Sequence, residues 1–205
     1  MAPMPMKPEH VELIRRALDA ETGHLRAAEA LWQGYIRLTA NALHWHEPGM
    51  ALDLPIYLLL ALGGAHEAPL RAAFETLFEQ TLEAHPQATG IVASSARQEA
   101  ELWRLREDTD VLYRTHPGAP SYDVSVPLSA IEAYAAGVQA GLAAIDPALQ
   151  PYAFGHLADG NLHITVPVDG PLSQAAHEAI EDVLYAGLVA AGGSFSAEHG
   201  VGLEK

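Results

Sequence analysis

Cysteine is absent from this 205-residue chain. That excludes disulfides, zinc ribbons, thiolate nucleophiles and cysteine-ligated iron–sulfur clusters, and leaves His, Asp and Glu to hold any metal. Positive charge is scarce too: 11 Lys and Arg stand against 26 Asp and Glu, a formal net charge of −15. Phosphate is neutralised by clustered Lys and Arg, so nucleic acid and anionic bilayers are poor partners for such a surface. Long apolar runs are also missing. The most apolar stretch, residues 54–62, is about half of the ~20 residues a bilayer span needs. Residues 1–8 lack the basic-then-apolar order of a secretory signal. We therefore expect no membrane span and take the cytoplasm as the default location. What is present is ordinary for a globular protein with a real core: 49% hydrophobic and 18% charged residues.

Pro8 opens a helical pattern with Val11, Ile14 and Leu18 on one face, and Gly23 is a stop. Residues 25–46 read as a longer helix whose apolar positions run too far round for a clean stripe. Residues 1–50 are thus expected to form a helical N-terminal segment, and residues 51–205 a domain. Residues 56–62 read as a buried strand closed by Gly63-Gly64, followed by a helix over 69–84 and a short strand at Ile91-Val92. Ser95 and Gln98 have capping-box spacing ahead of a helix through Trp103. Residues 122–127 alternate as a strand. Ser129 caps a further helix containing Ile131, Tyr134 and Val138, residues 151–168 form a hairpin, and a last helix covers 173–191. The hairpin precludes a purely parallel sheet. The expected fold is α+β, a mixed or antiparallel sheet with helices on one side.

The hairpin carries the densest chemistry. In FGHLADGNLHITV, which begins at Phe154, Asp159-Gly160 is a strong signal for a two-residue type I′ turn. That turn would set His156 opposite His163, with Cβ atoms ~4.5–5.5 Å apart on one face. Two imidazoles so placed can converge on one divalent ion, although two in one hairpin can also be coincidence in a chain with 11 histidines. A third ligand would have to come from elsewhere. The end of the chain, SFSAEHGVGLEK, offers Glu198 and the base His199 among glycines, or else is a solvated tail. In LWRLRE, Trp103 and Arg106 share a helical face. The Arg106 guanidinium can pair bidentately with a carboxylate, of a substrate or of a neighbouring side chain.

LWRLRE, YDVSVPLS, GHLADGNLH and GGSFSAEHGVGLEK occur in an order that resembles the C-terminal domain of FAD-linked oxidases, a family that includes D-lactate, D-2-hydroxyglutarate and glycolate dehydrogenases. The resemblance covers residues 55–205. It implies that His156, His163 and Glu198 hold a divalent metal, usually zinc. It implies that His199 takes the hydroxyl proton of a 2-hydroxy acid, and that Arg106, Asn161 and Thr165 contact the substrate. FAD, the hydride acceptor, is implied to be bound by a separate FAD-binding domain or subunit. No Gly-rich dinucleotide loop is found here, so the chain is expected to lack that domain and to be truncated at its C-terminus. Alone, it is expected to be inactive and to self-associate through exposed apolar surface.

Three positions depart from the family pattern. Ala158 stands where a second glycine is common. Thr165 stands where Asn is frequent, which alters a substrate contact. Ser121 stands where hydroxyglutarate-type members carry lysine, which argues against a dicarboxylate substrate. Two other readings compete with the dehydrogenase module: a stand-alone metal hydrolase, which no motif supports, and a non-catalytic metal- or ligand-binding module.

Overall fold

The computed structural model describes residues 25–48, 50–168 and 170–195. The helix expected over residues 8–23 lies outside the described residues. The first described element overturns part of the long helix expected over 25–46. Leu25–Trp32 is a strand, β1, and only Gln33–Ala42 is helical, α1. Ala, Leu and Glu are good helix formers, but β1 is paired on both edges, with β2 (Ile56–Leu62) and with β4 (Tyr152–His156). Two ladders of backbone hydrogen bonds outweigh the local preference. The signal was the apolar character on both sides of the segment: Ala28 and Ala30 are buried on one face, Glu29 and Leu31 on the other.

The remaining elements are α2 (Glu67–Ala84), α3 (Ala96–Glu107), α4 (Asp110–Thr115), β3 (Ser121–Ser125), α5 (Ile131–Ile145), β5 (Asn161–Thr165), α6 (Gln174–Tyr185) and α7 (Leu188–Ala191). Ser95 caps α3 as expected, and Ser173 caps α6, each accepting from a backbone N–H three residues on. Ser129 does not cap α5; it sits in a 3-10 turn, Leu128–Ala130, ahead of that helix. Ile91-Val92 forms no strand. Gly187, in the left-handed conformation at φ 77°, separates α7 from α6.

The five strands lie in the order β2-β1-β4-β5-β3, every pair antiparallel. The α+β class and the antiparallel sheet are as expected. One face packs on α5 and α6 through Ala28, Ala30, Val124, Leu162 and Ile164 against Ile131, Tyr134, Val138, Leu142, Ile180 and Leu184. Helices were expected on one side only. The second face also carries some, because Leu31, Tyr57 and Phe154 are apolar there and pack on Tyr35 and Ile36 of α1 and Leu112 of α4. By length and composition Leu128–Ile145 could cross a membrane. Its apolar stripe is spent on the sheet and α6 instead.

Tyr122, 6% exposed, points into the first core, and its hydroxyl has no hydrogen-bond partner among the described residues. A buried hydroxyl without a partner opposes folding. Tyr122→Phe is therefore expected to leave stability unchanged or raise it by up to ~1 kcal/mol; a loss in urea unfolding would show that the hydroxyl is satisfied.

The β4–β5 hairpin departs from the expected two-residue turn. His156 pairs with Asn161, and residues 157–160 form a four-residue loop in which only Gly160 has positive φ. Tertiary contacts set this loop. Leu157 is fully buried and donates its N–H to Ala28 O, and Gly160 O accepts from Val126 N. Any Cβ at Gly160 would run into the Val126 carbonyl. The register is shifted by two residues from the expected one, and a shift of two preserves the faces.

Candidate active site

Strand alternation and register arrange the second sheet face in three rows. The first runs Glu29, His156, Asn161, Ser125; the second Leu31, Phe154, His163, Asp123; the third Tyr152, Thr165, Ser121. His156 and His163 are thus diagonal neighbours rather than directly opposed. Their rings still meet, with centroids 5.6 Å apart at 83°.

Each imidazole turns Nδ1 to a buried carboxylate on the flanking strand. His156 Nδ1 lies 2.7 Å from Glu29 Oε1, and His163 Nδ1 lies 3.3 Å from Asp123 Oδ1. Glu29 and Asp123 are each 5% exposed. Neither carboxylate was singled out from sequence. The signal for Asp123 was its place in an alternating strand, and the signal for Glu29 was a lone charge in AAEALW, obscured by the helical assignment.

Arg106 enters from the last turn of α3. Its Nε donates to Glu29 Oε2 at 2.7 Å, its Nη2 is 3.3 Å from His156 Nε2, and its guanidinium stands 4.6 Å over the Phe154 ring. The Tyr35 hydroxyl donates to the Arg106 carbonyl at 2.7 Å, fixing that end of α3 to α1. Burial pushes the Tyr35 phenol well above its ordinary range, and the nearby guanidinium only partly opposes this. Ser121 and Thr165 share a hydrogen bond of 2.9 Å. Asn161 is 1% exposed, and neither its amide nitrogen nor its amide oxygen has a partner among the described residues.

His156, His163, Arg106, Asn161 and Thr165 are therefore brought to one face. Glu198 and His199 lie outside the described residues. Among the described residues, no group of three or more His, Cys, Asp or Glu side chains is arranged to hold a metal ion. Ser194 exchanges two backbone hydrogen bonds with Ser125, which returns the chain to the end of the first row. Gly193 allows this approach, since a Cβ there would meet the Ser125 carbonyl. A cavity of about 1100 Å³ lies elsewhere, between Trp32, Arg37, His116, Gln150 and Leu172, and includes none of the imidazole, carboxylate or guanidinium groups of the site.

These features define an α+β domain that carries a polar site, built of imidazoles, carboxylates and one guanidinium, on one face of an antiparallel sheet. The chain belongs to the family of FAD linked oxidases, C-terminal domain, whose model matches residues 8–205. That match starts well before the motifs at residue 55 and takes in β1 with Glu29. D-2-hydroxyglutarate dehydrogenase of Xanthomonas citri pv. viticola is 42% identical over 146 residues, 69% of this chain and 30% of the relative. The mitochondrial D-2-hydroxyglutarate dehydrogenase of Rattus norvegicus is 29% identical over 181 residues, 88% of this chain and 33% of the relative. The D-2-hydroxyglutarate–pyruvate transhydrogenase of Saccharomyces cerevisiae is 25% identical over 156 residues, 73% of this chain and 31% of the relative. The chain thus spans only 30%, 33% and 31% of these relatives.

Proposed function

We propose that the chain is the substrate- and metal-binding part of an FAD-dependent D-2-hydroxy acid dehydrogenase, which oxidises a 2-hydroxy acid to a 2-oxo acid. The observation that carries this reading is the gathering of two imidazoles, one of them hydrogen-bonded to a buried carboxylate, a buried guanidinium and an orphaned Asn161 amide on one sheet face. The donor set fits a divalent metal. A ligating histidine that gives its other ring N–H to a carboxylate has its tautomer fixed and its basicity raised; His156 makes such a contact with Glu29, and His163 stands 3.3 Å from Asp123 without hydrogen-bond geometry. When bound, FAD on a separate domain or subunit supplies the hydride acceptor, and a divalent metal, zinc by preference, supplies Lewis acidity.

This chain's residues do the rest. His156, His163 and Glu198 are the ligands. Glu198 is four residues beyond Ser194 in the sequence. Arg106 pairs with the substrate carboxylate, and Asn161 and Thr165 take its polar groups. A buried amide with no partner costs free energy until a ligand or another segment satisfies it. His199 accepts the hydroxyl proton. Neither Ser121 nor Thr165 carries charge, and each satisfies the other, which favours a substrate with a single carboxylate.

The test has two parts. Purified chain is expected to retain about one equivalent of zinc, and the double variant His156→Ala, His163→Ala to retain none. Mixed with an FAD-binding domain of the family, the zinc-loaded chain should bleach the oxidised flavin on addition of D-lactate, and less on D-2-hydroxyglutarate. A folded chain that holds no zinc, and a flavin that stays oxidised with either acid, would sink the reading. A larger response to D-2-hydroxyglutarate would overturn the substrate preference alone.

A further inference from the structure

Glu29 touches two of the groups assigned above, and through different atoms. Oε1 faces His156 Nδ1 at 2.7 Å and Oε2 accepts from Arg106 Nε at 2.7 Å. An ionised carboxylate can only accept, so the proton between Glu29 and His156 sits on Nδ1. A guanidinium can only donate, so the contact of 3.3 Å between Arg106 Nη2 and His156 Nε2 places a lone pair on Nε2. The two contacts are independent, and they require the same tautomer. It is the one that can ligate a metal through Nε2 once Arg106 Nη2 gives up that lone pair.

The rest of the neighbourhood holds the same three groups in place. Glu29 is directly opposite His156 in the β1–β4 ladder. The His163 ring packs edge-on against His156, and the Phe154 ring lies under the guanidinium. The carboxylate is 5% exposed, so water competes poorly for either oxygen.

We propose that Glu29 is a positioning residue of this site: one buried carboxylate sets the tautomer of His156 and the plane of Arg106 together. The proposal rests on the reading of His156 as a metal ligand. It adds a function for β1, a strand that contributes no ligand itself. It also separates two uses of one group, since neutralising Arg106 needs only a negative charge, whereas fixing the tautomer needs a second acceptor aimed at Nδ1. Glutamine at this position has one acceptor and one donor. It can serve Arg106 or His156, and the other N–H then faces an amide N–H.

Two variants of the full chain separate these roles. Glu29→Gln removes the second acceptor. Glu29→Leu combined with Arg106→Met removes both acceptors together with the buried cation, so the net charge of the pair is unchanged from wild type and folding is protected. The readouts are the ring nitrogen resonances of His156 in the 15N-histidine-labelled, metal-free protein and the affinity for zinc alone, measured against a competing chelator. Wild type is expected to show the Nδ1–H tautomer. Both variants are expected to shift toward Nε2–H, and zinc to bind roughly 10–100-fold more weakly. In the double variant the guanidinium no longer contacts Nε2, so weaker binding there arises from the imidazole. A folded double variant that keeps the wild-type tautomer and binds zinc within about twofold of wild type would overturn the proposal and leave Glu29 as a simple counter-ion. If wild type itself binds no zinc, the metal reading fails, and the nitrogen resonances still decide whether Glu29 sets the tautomer.

Discussion

Arg106→Ala is expected to lower the unfolding free energy of the chain by about 3–5 kcal/mol, the usual cost of breaking one partner from a buried ion pair. Arg106 is 8% exposed and Glu29 is 5% exposed, so the loss leaves a carboxylate in the protein interior with, among the described residues, only the His156 N–H to stabilise it. The stacking of the guanidinium on Phe154 disappears as well. Arg106→Lys recovers little, because one ammonium cannot supply an Nε donor to Glu29 and a second donor beside His156 at once. Removing both charges, with Arg106→Met and Glu29→Leu, should return most of the stability or exceed it. Urea unfolding of the three proteins checks this directly. If Arg106→Ala falls within ~1 kcal/mol of wild type, the pair is hydrated in solution and the buried network is misplaced.

Alkaline pH should unfold the protein steeply. Burial pushes the phenols of Tyr35, Tyr122 and Tyr134 well above the ordinary tyrosine value. The folded state therefore keeps these protons where the unfolded chain, titrating near pH ~10, gives them up. The stabilisation is complete below that value and is lost as the pH rises above it toward the folded values. Each fully shifted group contributes up to ~1.4 kcal/mol per pH unit, so three together give about 4 kcal/mol per unit. Denaturant midpoints should be level to about pH 9.5 and fall sharply beyond pH 10. Tyr134→Phe should flatten the slope by about a third. It should cost ~1 kcal/mol at neutral pH, since the Tyr134 hydroxyl donates to Leu184 O. Level midpoints to pH 11.5 would mean that the phenols are reached by solvent.

The hairpin shows how far local chemistry carries. Asp159-Gly160 announces a reversal, and strand alternation then puts His156 and His163 on one face under either register. The register itself was not legible. It depends on Leu157 being drawn into the core and on the Val126–Gly160 contact, both made by residues distant in the chain. The cap at Ser95 was legible because a cap is a contact over three residues. The cap at Ser129 failed where a 3-10 turn intervened.

Composition and motif order alone settled the absence of thiol chemistry, the α+β class, the family resemblance and the histidine pair. All of these follow from residue identity or from contacts over a few residues. β1 and the carboxylates behind the histidines were decided by the tertiary structure. AAEALW satisfies helix propensity, and only pairing with two other strands makes it a strand. Glu29 reaches Arg106 across 77 residues and His156 across 127. Nothing local marks such a contact, because its geometry exists only after the sheet has brought the three segments together.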